Sequence, residues 1–264
     1  MLNRFSGPQK AFAISFLAFL ILYFGFSKVS PEIRNPEKSV VSDANFENDF
    51  EQNALVLIDS LDGDSKSQIA LFMKQYETAS TDSLKIIYLQ KISGFWYSQG
   101  RTGIAADYAR KVAEMMSTPD AWTLAATNFV LAIKQGIGTE AEQKEWLSKA
   151  RDGFNRAVAL DTNNIVSKLN QALLAVEFPE NGPMEGILAL RKLNEQYPDE
   201  PAVLYHLARL AIETNQLDRA KERLNHLVRV SPDYNRAYCL LAKIAEKENN
   251  AIALKSYSEK CKDE

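Results

Sequence analysis

Small and apolar residues recur at helical spacing between residues 201 and 234. In the first half of this segment they fall at i, i+3, i+4 and i+7, positions that share one face of a helix. The same spacing returns after a polar break, and a proline then closes the segment because it cannot continue a helix. The pattern predicts two short helices packed as a hairpin. The positions that define it are Leu204, Leu207, Ala208, Ala211, Ala220, Leu224, Leu227 and Pro232.

This segment resembles one tetratricopeptide repeat (TPR), with Leu204 where that family usually has Trp and Ala211 where it usually has Tyr. Ala208 and Ala220 stand where the two helices of a repeat must approach closely, so a larger side chain would push the backbones apart. The resemblance implies a helical architecture that binds a protein or peptide partner through its exposed residues.

Weaker copies of the pattern extend the resemblance over residues 81–264. We therefore predict an all-α fold, a right-handed superhelical stack of TPR-like hairpins preceded by one transmembrane helix, with the first helix of each hairpin on the inner wall. A leading helix or cap over 53–80 precedes the stack. The predicted hairpins cover about residues 81–118, 119–163, 164–200, 201–234 and 235–262.

The second predicted hairpin departs from the regular spacing. Its small positions, Ala126 and Ala150, lie 24 residues apart, whereas Ala208 and Ala220 lie 12 apart. We expect the additional residues to lengthen both helices beyond the usual hairpin. This unit is then the expected place for a protruding, specialised surface.

Residues 11–27, AFAISFLAFLILYFGFS, contain no charge and are flanked by Lys10 and Lys28. A helix of this length spans roughly 26 Å, the short end of what crosses a bilayer, so we predict a transmembrane anchor between an N-terminal flank (1–10) and a flexible tether (28–52). A cleaved signal peptide is the alternative, although no Ala-x-Ala site follows. Basic residues before the anchor favour a cytoplasmic N-terminus and a periplasmic TPR domain.

Charge and cysteine content narrow the classes of partner. The formal net charge is −3, and the chain beyond residue 28 carries 28 basic against 34 acidic residues, which argues against nucleic acid as a partner. Cys239 and Cys261 are too few for a disulfide framework and too far apart in sequence for a zinc knuckle. The two cysteines alone do not decide whether they form a disulfide bond or in which compartment the protein lies.

The sequence contains no pattern typical of a catalytic or metal site. Its two histidines, His206 and His226, lie on different predicted helices and neither has a metal-binding partner at helical spacing. Nucleophile motifs and Cys-x-x-Cys are absent from the sequence. We therefore expect no cofactor, no metal, no small-molecule substrate and no enzyme activity.

The expected ligand surface is the concave wall, which proteins resembling this one build from positions 2, 5, 9 and 12 of the first helices. On this basis Arg209, Arg236 and Lys243 surround Tyr205 as a basic patch that would grip an acidic or C-terminal peptide segment. The alternative is a solvated helix face. The candidate groove residues are Leu169, Leu173, Tyr205, Arg209, Ile212, Arg236 and Lys243.

Together these features predict a non-catalytic, membrane-anchored TPR scaffold that mediates protein–protein interaction in an extracytoplasmic assembly, secretion or maturation complex. A cytoplasm-facing adaptor with the same fold is the alternative, and a helical-repeat enzyme is a remote one. The sequence leaves open the identity of the partner, the pathway and the oligomeric state.

Overall fold

The computed structural model of the protein describes residues 50, 52 and 54–261, and the chain divides into two compact units, residues 1–59 and 60–264. In the first unit, residues 54–58 are helical. The predicted flank, anchor and most of the tether lie outside the described residues. Within the described part, no helix combines the length and apolarity that crossing a membrane requires.

The second unit is all-α over its described residues 60–261, with eleven helices and no strand. The helices are α1 Gly63–Glu77, α2 Asp82–Ser98, α3 Thr102–Met116, α4 Pro119–Lys134, α5 Glu140–Leu160, α6 Ile165–Glu177, α7 Met184–Gln196, α8 Pro201–Glu213, α9 Leu217–Val230, α10 Asn235–Lys247 and α11 Ala251–Ser258.

Consecutive helices pack as antiparallel hairpins. Helix α1 lies against α2, and the hairpins α2–α3, α4–α5, α6–α7, α8–α9 and α10–α11 follow in chain order. First helices of neighbouring hairpins also touch, α4 with α6 and α8 with α10. These contacts place the first helices side by side along one wall of the stack.

Helix ends coincide with capping residues and turn residues. The side chains of Thr118, Thr139 and Asn164 each accept a hydrogen bond from a backbone N–H in the first turn of the helix that follows. Between the helices of the last two hairpins, Asn215 and Asn249 adopt positive φ of 57° and 56°, a conformation that asparagine tolerates better than most residues. Local sequence therefore sets where each hairpin reverses.

The hairpin α8–α9 is held together at its small residues. Ala208 and Ala220 are fully buried in a cluster that also contains Leu204, Leu224 and Leu227. Leu207 is buried in the adjacent cluster between α6, α7 and α8. Pro232 is exposed in the turn after α9.

Helices α6 and α7 make a similarly close contact, but the small residue there is a glycine, Gly186, instead of an alanine. A Cβ atom on Gly186 would stand 2.5 Å from the backbone nitrogen of Val176 and 2.6 Å from the carbonyl oxygen of Ala172. These are backbone atoms, so a side chain at this position would require the two helices to separate.

Both helices of the hairpin α4–α5 are longer than those of α8–α9, as predicted, with 16 and 21 residues against 13 and 14. The indole of Trp146 is buried and fills the space above Gly103 of α3 and Gly138 of the turn, where an added Cβ would meet the ring at 2.1 Å and 2.6 Å. Lys149 Nζ lies 2.6 Å from the buried carboxylate of Asp107, also on α3. The extension is therefore packed against the preceding hairpin.

Cys239 of α10 and Cys261, just after α11, form a disulfide bond with an S–S distance of 2.02 Å. The pairing that the sequence left open is thus present. Because it closes a loop of about two dozen residues, the bond ties the last helix to the stack and limits the freedom of the unfolded chain.

We expect Ala220→Trp to lower the free energy of unfolding by about 3 kcal/mol or more, because overpacking a contact between two helices strains the adjoining hairpins as well. Asn225→Trp, at an exposed position of the same helix, is the matched control and should change stability little. Denaturant unfolding measures both. An unchanged midpoint for Ala220→Trp would contradict the close approach of α8 and α9.

Candidate functional site

The first helices enclose a cavity of about 330 Å³, which we call the concave cavity. It is lined from α4, α6, α8 and α10, with Phe154 of α5 reaching in from the second helix layer. Its principal polar residues are Lys134, Asn170, Glu177, His206, Arg209 and Arg236, and its principal apolar residues are Val130, Phe154, Leu173, Leu174 and Tyr205.

Glu177, the last residue of α6, is the carboxylate of the concave cavity. Its Oε2 lies 2.5 Å from Lys134 Nζ, and its Oε1 lies 3.4 Å from Nη2 of Arg209. A carboxylate at the C-terminus of a helix opposes the helix dipole, and the two cations offset this. Since Arg236 adds a third cation, the lining carries three positive groups against one negative group.

Tyr205 positions Arg236 at the edge of the cavity. The Arg236 guanidinium carbon lies 5.0 Å from the centroid of the Tyr205 ring, a cation–π distance. The centroid of the Tyr234 ring lies 5.6 Å from that of the Tyr205 ring. The cationic group is therefore held in place although the arginine is exposed.

His206 lies in the concave cavity beside these cations. Burial, then the neighbouring Arg209 guanidinium, lowers the pKa of His206 to about 4; Arg236 and Lys134 act in the same direction and Glu177 opposes them. The imidazole is therefore neutral at physiological pH. A neutral ring offers one hydrogen-bond donor and one acceptor to a ligand.

Two buried polar atoms in the cavity have no hydrogen-bond partner among the described residues. They are Nδ1 of His206 and Nε of Arg209. Leaving such groups unpaired costs about 1–3 kcal/mol each. The Arg209 side chain as a whole is 32% exposed, so its guanidinium group can meet an anion in the cavity although Nε is closed off from solvent.

The structure brings together four of the seven candidate groove residues: Leu173, Tyr205, Arg209 and Arg236 line the concave cavity. Three lie elsewhere. Leu169 is buried in the core between α6, α7 and α8, Ile212 packs half-buried against the core of α8–α11, and Lys243 is exposed outside the lining. Lys243 does not line the cavity, and its membership in the basic patch stays a prediction.

The three residues share helix faces with residues of the lining: Leu169 stands four positions before Leu173, Ile212 three after Arg209 and Lys243 seven after Arg236. They therefore lie about one to two turns away from those lining residues along their helices. The lining residues Asn170, Leu173 and Glu177 of α6 are spaced i, i+3 and i+7, and His206 and Arg209 of α8 begin the same stripe one position after Tyr205. Sequence reasoning missed Lys134, Glu177 and His206. The repeated polar stripe on α6 and α8 was the signal that would have found the last two.

The other histidine lies outside the concave cavity. His226 Nε2 is 2.7 Å from Oδ1 of Asp199, in a contact between α9 and the turn before α8. Across the described residues, no three His, Cys, Asp or Glu side chains come together as a metal site would require.

Residues 185–244 match the tetratricopeptide repeat family. The match spans the hairpin α8–α9 and reaches into the helices on either side of it. No curated protein matches the chain.

Several solved structures are similar in fold. PilW, described as a widely conserved type IV pilus biogenesis factor, is 16% identical with a TM-score of 0.48, covering 75% of this chain and 92% of PilW. MamA (41-end) from Desulfovibrio magneticus RS-1 is 14% identical with a TM-score of 0.44, covering 67% and 90%. YrrB, described as a TPR protein with an unusual peptide-binding site, is 16% identical with a TM-score of 0.40, covering 72% and 90%. Similarity this low assigns no function.

The lowered pKa of His206 predicts a pH-dependent stability. The unfolded chain binds a proton near pH 6.5 and the folded chain only near pH 4, so the free energy of unfolding should fall as the pH drops through this window. His206→Gln should reduce that loss by on the order of 1 kcal/mol, a value discounted for solvent screening of a half-buried ring. Denaturant titrations at pH 7 and pH 4.5, with His226→Gln as control, measure it. If the free energy of unfolding depends on pH equally in His206→Gln and in the unaltered chain, the pKa of His206 is not lowered by folding.

Proposed function

We propose that this protein is a non-catalytic scaffold that holds an acidic segment of a partner protein in the concave cavity. The observation that carries this proposal is the cavity lining itself, with three cations against one carboxylate. The tetratricopeptide repeat match over residues 185–244 supports a role in protein–protein interaction.

The arrangement favours a peptide with both carboxylates and apolar side chains. Arg209 and Arg236 present planar donor groups that suit carboxylates, while Leu173, Val130 and the Tyr205 ring supply apolar contact between them. Glu177 already neutralises part of the positive charge. An incoming carboxylate would therefore compete with Glu177 for Arg209, which makes binding depend on the charge of the segment.

We further propose that the scaffold is anchored by residues 11–27 and faces an oxidising, extracytoplasmic compartment. The uncharged apolar run between Lys10 and Lys28 supports the anchor. The Cys239–Cys261 disulfide supports the compartment, because disulfides are rare in reducing cytosol. The same disulfide weighs against a cytoplasm-facing adaptor.

A binding measurement tests the proposed ligand class. We expect a fluorescein-labelled peptide of alternating Glu and Leu to bind the full chain, and the double variant Arg209→Gln, Arg236→Gln to bind it at least about tenfold more weakly, because charge-assisted contacts are lost. Fluorescence anisotropy gives both dissociation constants.

The matched control is Lys243→Gln, which removes an exposed cation of the same wall outside the cavity lining. It should bind the peptide as the unaltered chain does, and a peptide of alternating Gln and Leu should bind neither variant strongly. Equal binding by the double variant, with its melting temperature unchanged, would rule the concave cavity out as the site.

The proposed topology predicts exposure of the repeats outside the cytoplasm. When the chain is expressed in a bacterial host, protease added to intact spheroplasts should digest the part that follows residue 29, and thiol labelling before lysis should find Cys239 and Cys261 oxidised. Digestion confined to lysed cells would place the repeats in the cytoplasm instead.

A further inference from the structure

A second cavity, of about 450 Å³, lies on the opposite side of α8, between the second helices α7 and α9. We call it the outer groove. Leu207, Leu210 and Ala211 of α8 line it, Arg191 comes from α7, and Arg219 and Arg223 come from α9. The two cavities use different faces of α8, since His206 and Arg209 line the concave one.

None of the three arginines of the outer groove has a carboxylate within 4.0 Å among the described residues. Nη1 of Arg219 donates to Oε1 of Gln216 at 2.7 Å, and Nη1 of Arg223 donates to the carbonyl oxygen of Arg219 at 3.4 Å. Two cations that line other cavities are paired, Lys134 with Glu177 and Arg151 with Glu180. The lining of the outer groove thus contains three arginines and no carboxylate.

The electrostatics of Arg223 show that the three guanidinium groups act on one another. Burial has the largest effect and lowers the pKa of Arg223; Glu222 has the next largest and raises it, and Arg219 and Arg191 each lower it by less. Like charges held together in a partly buried place repel, and a bound anion relieves that repulsion. An acidic ligand would therefore meet three guanidinium groups close enough to act on one another.

The shape of the outer groove adds an apolar requirement. Ile187 and Met184 of α7 face the same space as Leu207 and Leu210, and Met184 is 62% exposed. From Met184 to Arg191 the wall runs about 10 Å along α7, two turns of helix. Because arginines stand on both walls, a ligand that inserts an apolar side chain meets a cation on either side of it.

We propose that the outer groove is a second docking site, for a protein segment that places carboxylates on both sides of an apolar side chain. The apolar side chain packs on Leu207 and Leu210, and the carboxylates accept hydrogen bonds from Arg191 on one wall and from Arg219 and Arg223 on the other. The site is independent of what occupies the concave cavity.

Methyl NMR on the full chain in a zwitterionic detergent tests the site directly. The probe is the peptide Glu-Glu-Leu-Leu-Glu-Glu, and its counterpart has Gln at every Glu position. We expect the Glu peptide to shift the methyl signals of Ile187, Leu207 and Leu210, and the Gln peptide to leave them unchanged. Signals of Leu173 report the concave cavity separately, so failure at one cavity is distinguishable from failure at the other.

Replacing Arg191, Arg219 and Arg223 together by Gln should weaken the outer-groove binding at least about tenfold. Arg229→Gln, an exposed arginine of α9 outside the groove, is the control and should bind the peptide normally. If the NMR spectrum of the triple variant shows that it is unfolded, the single variant Arg191→Gln takes its place. This exposed arginine can be replaced without disturbing the core, and its loss should weaken binding roughly threefold.

Three results would overturn the proposal. The first is an absence of shifts at Ile187, Leu207 and Leu210 with the Glu peptide. The second is equal shifts with the Gln peptide or with the arginine variants. The third is that micelles doped with anionic phosphatidylglycerol shift these methyl signals while the Glu peptide does not, which would assign the groove to a lipid surface.

Discussion

The close approach of paired helices at residues with small side chains is the constraint on which the rest of the structure depends. Ala208 and Ala220 bring α8 and α9 together, and Gly186 allows α7 to meet the backbone of α6 without a side chain between them. Each hairpin buries its apolar face only against its neighbours, so the separation of every pair sets the position of the next. The separation between the helices also creates the two cavities, which are the spaces left between them.

The chemistry of the concave cavity follows from that geometry. First helices that touch one another bring Lys134 of α4, Glu177 of α6 and Arg209 of α8 into one ion-paired group, although the sequence separates them by tens of residues. The cost is an unpaired Arg209 Nε and a histidine kept neutral by burial. We place the partner here because the lining presents three cations against one carboxylate.

The sequence was informative where spacing alone decides the outcome. Helical periodicity, turn residues and the positions of Ala208 and Ala220 were sufficient to predict an all-α stack of hairpins. Which side chains share a cavity depends instead on how the helices stack. Counting repeat positions left out His206 and included Lys243, which lies seven residues, about two turns, beyond Arg236. Long-range partners such as Cys239 with Cys261, or Trp146 with Gly103, carry no local signal and needed the structure.

The central claim is that an acidic segment binds beside His206, and the titration of this histidine by NMR tests it most directly. In the free chain the pKa of His206 should be about 4. With saturating peptide of alternating Glu and Leu the pKa should rise relative to the Gln counterpart, because a carboxylate nearby stabilises the charged ring. An identical pKa with both peptides would contradict the account.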